Sequence, residues 1–285
     1  MEKTHVSCDL CNLNSTAIVY LTEKYQVVKC KNCDLTYVNP QPSQRILDET
    51  YPESYYTAWF EQEKTRIPMW EERLSEITRI SQTGRLLDVG CGIGTFLEIA
   101  QAHGWEIYGT EVSRYCVQYT NEKLGLNTVY GDITEIPLPE KYFDVVTLWH
   151  VLEHTSSPSK NLAIVNSLLK DNGFIVIEVP NVEYYVPYFF HALLRQKLHK
   201  QYLYGQEGDE IHHLYFFSQS TIKRLLEKTG FQVVKMVIGN VGYHEINRLR
   251  NIKFRVYDAI AKIIYVITRQ NYGKAIKVCA RKIAK

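Results

Sequence analysis

One stretch constrains this chain more than any other: Arg85-Leu86-Leu87-Asp88-Val89-Gly90-Cys91-Gly92-Ile93-Gly94-Thr95-Phe96-Leu97. An apolar run stops at Asp88, three glycines follow at alternate positions, and an apolar helical pattern begins at Phe96. That order predicts a buried parallel strand, a tight turn and a helix start. Glycine lets the turn take positive φ and lets a ligand approach where a Cβ would block it. Such a turn belongs at the carboxyl edge of an open α/β sheet, where these folds bind ligands. A dinucleotide fingerprint, Gly-x-Gly-x-x-Gly, does not fit. The third glycine is Gly94, and Thr95 stands where that fingerprint needs glycine.

Three further stretches follow in order. Ile107-Tyr108-Gly109-Thr110-Glu111-Val112 reads as a strand ending in an acid, and a carboxylate at that place can accept both hydroxyls of a ribose. A surface glutamate after a strand is the other reading. Thr128-Val129-Tyr130-Gly131-Asp132-Ile133 reads as the next strand, again with an acid at its end. Tyr142-Phe143-Asp144-Val145-Val146-Thr147-Leu148-Trp149-His150-Val151-Leu152-Glu153-His154 reads as a fourth strand and the loop after it.

With these stretches the chain resembles the class I S-adenosylmethionine (SAM) dependent methyltransferases, whose first motif has the form Asp-x-Gly-x-Gly-x-Gly. The resemblance implies a doubly wound α/β domain with a seven-stranded, mainly parallel sheet, its last strand antiparallel. It implies that Gly90, Gly92 and Gly94 line the methionine portion of SAM and that Asp88 places its amino group. Glu111 would hold the ribose and Asp132 the adenine edge. Trp149 would cover the adenine or the sulfonium, since an aromatic face attracts a cation. Asp144 would have a structural role. His150 and His213 are the candidates for a general base if the acceptor is a hydroxyl, with His154 and His212 behind them.

Before that domain come Cys8-x-x-Cys11 and Cys30-x-x-Cys33, separated by 18 residues. Two thiolate pairs on tight turns make a tetrahedral sulfur cage that suits Zn²⁺. Short strand patterns, Ala17 to Tyr20 and Tyr25 to Lys29, lie between the pairs. The alternatives are two redox motifs or unpaired thiols. Four cysteines leave no open coordination site, so the zinc would be structural, in a ribbon with a core of its own. Cys91, Cys116 and Cys279 read as small core residues. The exit Tyr37-Val38-Asn39-Pro40-Gln41-Pro42 is an extended linker. Ribbon and exit together resemble a bacterial methyltransferase subgroup in which a short zinc ribbon precedes the catalytic domain.

The expected organisation is a ribbon over 1–42, a helical lid and substrate region over 43–82, and the methyltransferase domain over 83–285. Aromatic residues crowd the lid, and Tyr55 and Tyr56 are the substrate-binding candidates among them; the rest read as packing. Pro158 starts a helix to about Lys170, which Asp171-Asn172-Gly173 ends before a fifth strand to Asn181. The irregular stretch 182–211 occupies the place of a substrate insertion. Ser218 reads as the N-cap of a helix that Gly230 stops. Sixth and seventh strands follow at Phe231 to Ile238 and Ala275 to Arg281.

Charge is uneven. From Glu245 to Lys285 there are 11 Lys/Arg against 2 Asp/Glu, a surplus of +9 that leaves −7 for the rest of a chain of formal charge +2. Within it, 245–272 reads as a basic amphipathic helix with an apolar stripe from Leu249 to Ile267. The stripe fits a helix docked on the sheet, a homodimer, or peripheral contact with a membrane through 248–269. No apolar run reaches about 18 residues and the N-terminus lacks a signal-peptide pattern, so a cytoplasmic protein is expected, with any membrane contact at the inner face. The acceptor is expected to be a small molecule: a sugar, a glycan precursor or another secondary metabolite. A zinc-ribbon RNA methyltransferase is the first alternative, but the acidic body is not an RNA groove. The strand-four exit Trp149-His150-Val151-Leu152 also lacks the Asn-Pro-Pro-aromatic run common in base amino methylation. A SAM-binding regulator without turnover is the second.

Overall fold

The computed structural model describes residues 3–42, 53–183, 204, 213–239 and 273–284, without the side chains of 53–59, 61, 62 and 64. The insertion 182–211 beyond Glu183 (Tyr204 apart), His212 and the basic helix 245–272 lie outside the described residues, as do the side chains of Tyr55 and Tyr56.

Seven strands form the main sheet: β6 (Arg85–Val89), β7 (Glu106–Glu111), β8 (Thr128–Tyr130), β9 (Phe143–Trp149), β10 (Leu169–Pro180), β12 (Phe231–Gly239) and β13 (Ala275–Lys282). Their order is β12-β13-β10-β9-β6-β7-β8. The β6, β7, β8, β9 and β10 pairings are parallel, and β13 runs antiparallel to both of its neighbours. This is the doubly wound, mainly parallel sheet that the sequence predicts. Its strands are apolar because both faces are covered: Leu86, Leu87, Val145, Val146, Leu148, Ile175 and Ile177 are all fully buried.

The crossover helices are α2 (Thr95–Ala102), α3 (Arg114–Leu124) and α4 (Pro158–Leu168); α5 (Gln219–Lys228) lies between β10 and β12 in the chain. Ser113 caps α3 by accepting the Cys116 N–H, and Ser218 and Thr221 form a reciprocal capping box on α5. The long lid helix α1 is Glu53–Thr78. One boundary differs from expectation. α4 stops at Leu168, and Leu169 already pairs with Phe143. Asp171-Asn172-Gly173 is a bulge inside β10, with Asn172 at φ 64°, because the ladder to β9 resumes at Phe174.

The N-terminal part contains β1 (Lys3–Thr4), β2 (Thr16–Leu21), β3 (Gln26–Cys30), β4 (Thr36–Val38) and β5 (Gln41–Pro42). β2, β3 and β4 form an antiparallel sheet whose fourth strand is β11 (Tyr215–Phe216), from far along the chain. The expectation of a separate ribbon core is therefore corrected. Cys8, Val27, Cys30, Leu35 and Tyr37 belong to the same buried cluster as Leu148, Leu162, Ile177 and Phe217 of the main sheet and its helices. Tyr37 stacks on Tyr215, with ring centroids 6.0 Å apart. The physical reason is size: about 40 residues bury too little apolar surface to make a stable core alone.

Candidate active site

The strand order reverses beside β6, so the crevice at the carboxyl ends of β6, β7, β8 and β9 is where this architecture takes a ligand. A pocket opens there. Val89 and Gly90 line it at the end of β6, Thr110, Glu111 and Val112 at the end of β7, and Gly131, Asp132 and Ile133 just after β8. The loop after β9 supplies Val151, His154, Thr155 and Ser156, and α4 supplies Asn161. Of the cofactor residues expected from sequence, Gly90, Glu111 and Asp132 come together on these walls.

The glycine turn is required by its surroundings. Gly90 takes φ +68°, and a Cβ there would meet Val151 Cγ2 at 2.6 Å. Its N–H donates to Thr110 O at 2.7 Å, which ties the turn to β7. At Gly92, φ +56°, nothing lies within 4 Å of where a Cβ would sit. The Gly92 N–H donates to Glu111 Oε2 and the Ser113 N–H to Glu111 Oε1, both at 2.9 Å. These bonds aim the Glu111 carboxylate, and each oxygen keeps a lone pair for a further donor. Burial raises the Glu111 pKa, against the pull of those amides. Asp132 Oδ1 accepts the Thr134 N–H at 2.7 Å, an Asx turn that fixes the side chain at the end of β8.

Asp88 is buried one layer below the pocket wall, where Thr147 donates to Oδ1 at 2.6 Å. Burial pushes its pKa up to about 7; the Thr147 hydrogen bond lowers it and the Glu111 charge raises it further. Asp144 holds the base of the sheet, accepting the Arg85 N–H at 2.8 Å and the Lys170 ammonium at 2.7 Å.

Trp149 sits differently from expectation. It is not on the pocket wall. It packs edge-on against Phe96 and Trp70 at 5.4 and 6.1 Å between centroids, and the cation over its ring is the Arg73 guanidinium at 4.6 Å. Arg73, from α1, also lies 4.5 Å from the Trp70 ring and donates to Glu178 Oε1 at 2.5 Å.

His150 does not have the geometry of a free base. Its Nε2 faces Glu178 Oε1 at 3.0 Å and its Nδ1 faces Glu153 Oε1 at 3.2 Å. Both nitrogens donate, which describes an imidazolium clamped between two carboxylates. Burial alone would lower its pKa, but the hydrogen bonds to Glu153 and Glu178 outweigh it and hold the pKa near 10. The residue keeps φ at +56° because its own N–H donates to Glu178 O at 2.9 Å. The other candidate, His213, lies beside His154, with ring centroids 4.8 Å apart and the rings edge to face.

Arg73 and Glu178 escaped the reading of the sequence. Glu178 did carry a signal: a carboxylate inside the apolar run Ile175-Val176-Ile177-Glu178-Val179 must be paired if it is buried.

In the N-terminal part, Cys8 and Cys33 Sγ lie 3.4 Å apart and Cys11 and Cys30 Sγ 3.5 Å apart. All four sulfurs are within 4.8 Å of one another. Zn–S bonds of about 2.3 Å put sulfurs about 3.8 Å apart in a tetrahedron, so the four residues fit that ion.

Comparison with known proteins agrees with the fold. A family model described as a methyltransferase domain matches residues 60–236. The chain is 26% identical over 196 residues to the demethylmenaquinone methyltransferase of Staphylococcus saprophyticus, covering 62% of this chain and 81% of that one. It is 26% identical over 203 residues to the ubiquinone/menaquinone biosynthesis C-methyltransferase of Proteus mirabilis, covering 62% and 79%. Among solved structures, a SAM dependent methyltransferase from Archaeoglobus fulgidus aligns with a TM-score of 0.54 at 23% identity, covering 80% of this chain and 100% of that one. At that identity the likeness is one of fold.

Proposed function

This chain belongs to the methyltransferase-domain family and is a SAM-dependent methyltransferase, and from that premise we propose that it methylates a small-molecule acceptor at the pocket over β6, β7 and β8. The observation that carries the site is Glu111: a buried carboxylate aimed by the Gly92 and Ser113 amides, in one pocket with Gly90 and Asp132.

When bound, SAM supplies a sulfonium methyl already activated for in-line displacement by a nucleophile. The residues of this chain then have mainly to align and to exclude water. Glu111 accepts the ribose hydroxyls with the lone pairs its two amides leave open. Asp132 offers its second oxygen to the adenine amino group. Gly90 and Gly92 let the methionine portion lie against the backbone, with Gly94 and Asp88 behind them. Asp88, buried below that wall, would help to place the α-amino group. Calorimetry of SAM binding to the wild type and to Glu111→Ala tests the assignment; equal affinities would sink it.

The acceptor class is a sugar, a glycan precursor or another secondary metabolite. Relatives named for quinone substrates support a small molecule in general. Tyr55 and Tyr56, on α1, are the proposed acceptor contacts. Zn²⁺ in the Cys8, Cys11, Cys30 and Cys33 cage is the proposed structural ion. No described helix is long and apolar enough to cross a membrane. Segment 248–269 is proposed as a peripheral membrane contact on its basic sequence alone. Binding to anionic vesicles that persists undiminished in high salt, or no binding at low salt, would remove that proposal.

A further inference from the structure

A second set of ligating side chains stands at the wall of the same pocket. Glu153 and His154 lie in the turn after β9, and His213 lies just before β11. One donor atom from each is within 4.8 Å of the donors of the other two. His154 Nε2 is 3.8 Å from Glu153 Oε1. Backbone bonds bring the two segments together: the Leu214 N–H donates to Glu153 O at 2.8 Å, and the Val38 N–H to Leu214 O at 2.8 Å.

Glu153 is fully buried. Its Oε1 is held by His150, while its Oε2 has no hydrogen-bond partner among the described residues. A buried carboxylate oxygen without a donor is costly unless a positive group takes it. Two imidazoles and one carboxylate are a donor set for a divalent first-row transition ion, and three protein donors leave positions open for other ligands. Donors around such an ion stand about 3 Å apart. A movement of roughly 1 Å in the two imidazoles would therefore close the set around it. Outside the four cysteines, no other group of three such donors comes together among the described residues.

We propose that Glu153, His154 and His213 bind a divalent first-row cation beside the cofactor pocket, in addition to the four-cysteine cage. His150 serves this site as a positioning residue, because its Nδ1–H fixes one Glu153 oxygen and leaves the other to the ion. His154 lines the pocket, so the open coordination positions border it. That they would take hydroxyl or carboxylate oxygens of the acceptor rests on reading this pocket as the SAM site.

The test uses the full chain with its cysteine cage loaded with zinc. Co²⁺ and Mn²⁺ are titrated in separately, with SAM binding measured by calorimetry on the same samples. Wild-type protein should take one further equivalent, with visible Co²⁺ absorption that lacks a thiolate charge-transfer band. His213→Ala and Glu153→Gln should weaken that binding at least tenfold, while His213→Ala still binds SAM. Should Glu153→Gln fail to fold, His154→Ala takes its place. A wild type that binds no cation beyond the cage, or His213→Ala and His154→Ala variants that bind it as tightly as the wild type, would overturn the proposal and leave the trio as a hydrogen-bonded cluster. Loss of SAM binding by the wild type would instead overturn the pocket reading, and Co²⁺ uptake would still report on the cation site alone.

Discussion

The Asp9 carboxylate, between the first two cysteines, accepts the Ser159 backbone N–H at 2.6 Å and so caps α4, 150 residues further along the chain. It also accepts the hydroxyls of Ser157 at 2.8 Å and Ser159 at 2.9 Å. Ser157 itself, at the N-cap position, makes no capping hydrogen bond. The anion is well placed, because the N-terminus of a helix carries partial positive charge and unpaired N–H groups. From the loop just before α4, Val151, His154, Thr155 and Ser156 line the proposed cofactor pocket. The cysteine knuckle thus braces a wall of the proposed active site.

Asp9→Ala should destabilise the protein by about 1–2 kcal/mol, the usual cost of losing a side-chain cap. Asp9→Asn keeps an acceptor oxygen and should lose less. Chemical denaturation of the three proteins checks the order. An Ala variant as stable as wild type would mean that water or the Ser157 hydroxyl replaces the cap.

Removing the proposed zinc should lower the stability of the whole described fold, not of an N-terminal appendage. The reason is the shared core, with β11 closing the small sheet and Cys33 O accepting from Arg224 Nη1 at 3.2 Å. A chelator, or Cys30→Ser, should shift a single thermal transition downward. Two transitions, with the SAM-binding one unmoved, would show that the two parts unfold independently.

Glu111→Ala should weaken SAM binding by about 1.5–3 kcal/mol, the scale of hydrogen bonds to a charged group. Asp132→Ala should weaken it by less, because one of the Asp132 oxygens is committed to the Asx turn and water can replace the other. Calorimetry showing unchanged affinity in both would remove the two acids from the site.

Asp88 predicts a pH dependence. Its folded pKa, about 7, lies above the ordinary aspartate value of 3.8, so between those values the native state holds a proton that the unfolded chain has lost. Its contribution to stability is therefore greatest at low pH and falls as pH rises toward 7, by at most about 1.4 kcal/mol per pH unit. Asp88→Asn removes this slope. Relative to wild type, the variant should gain stability between pH 5 and pH 8; a difference that stays constant across that range would show that Asp88 is already ionised at pH 5.

The Arg73–Glu178 pair joins the lid helix to the end of β10 in a buried setting. Arg73→Met leaves Glu178 with the His150 imidazolium and the charge of Lys277 among the described residues, and should cost about 3–5 kcal/mol. Arg73→Met with Glu178→Gln should cost less than the single change, since the buried carboxylate that lost its guanidinium is then gone, and the His150 imidazolium keeps Glu153. A loss in the double variant equal to the sum of those of Arg73→Met and Glu178→Gln alone would mean that the two charges are not coupled.

By itself the sequence determined the sheet, its glycine turn and the acids on the strand ends. Each of those is local: a strand period, a positive-φ turn or a capping residue is written within a few neighbouring positions. The four cysteines were legible for the same reason, since two short knuckles carry the spacing. Contacts across the chain were not legible. Nothing near Trp149 announces that Arg73 from the lid covers its ring, nor near His150 that both its nitrogens meet buried carboxylates. Asp9 reads as a turn residue until α4 is brought against it. Only the tertiary structure decided these, because burial sets the cost of an unpaired charge, and which groups are buried together depends on the packing of elements 150 residues and more apart. It also decided that ribbon and catalytic sheet share one core, since neither the length of the ribbon nor its pattern shows that its fourth strand comes from Tyr215 and Phe216.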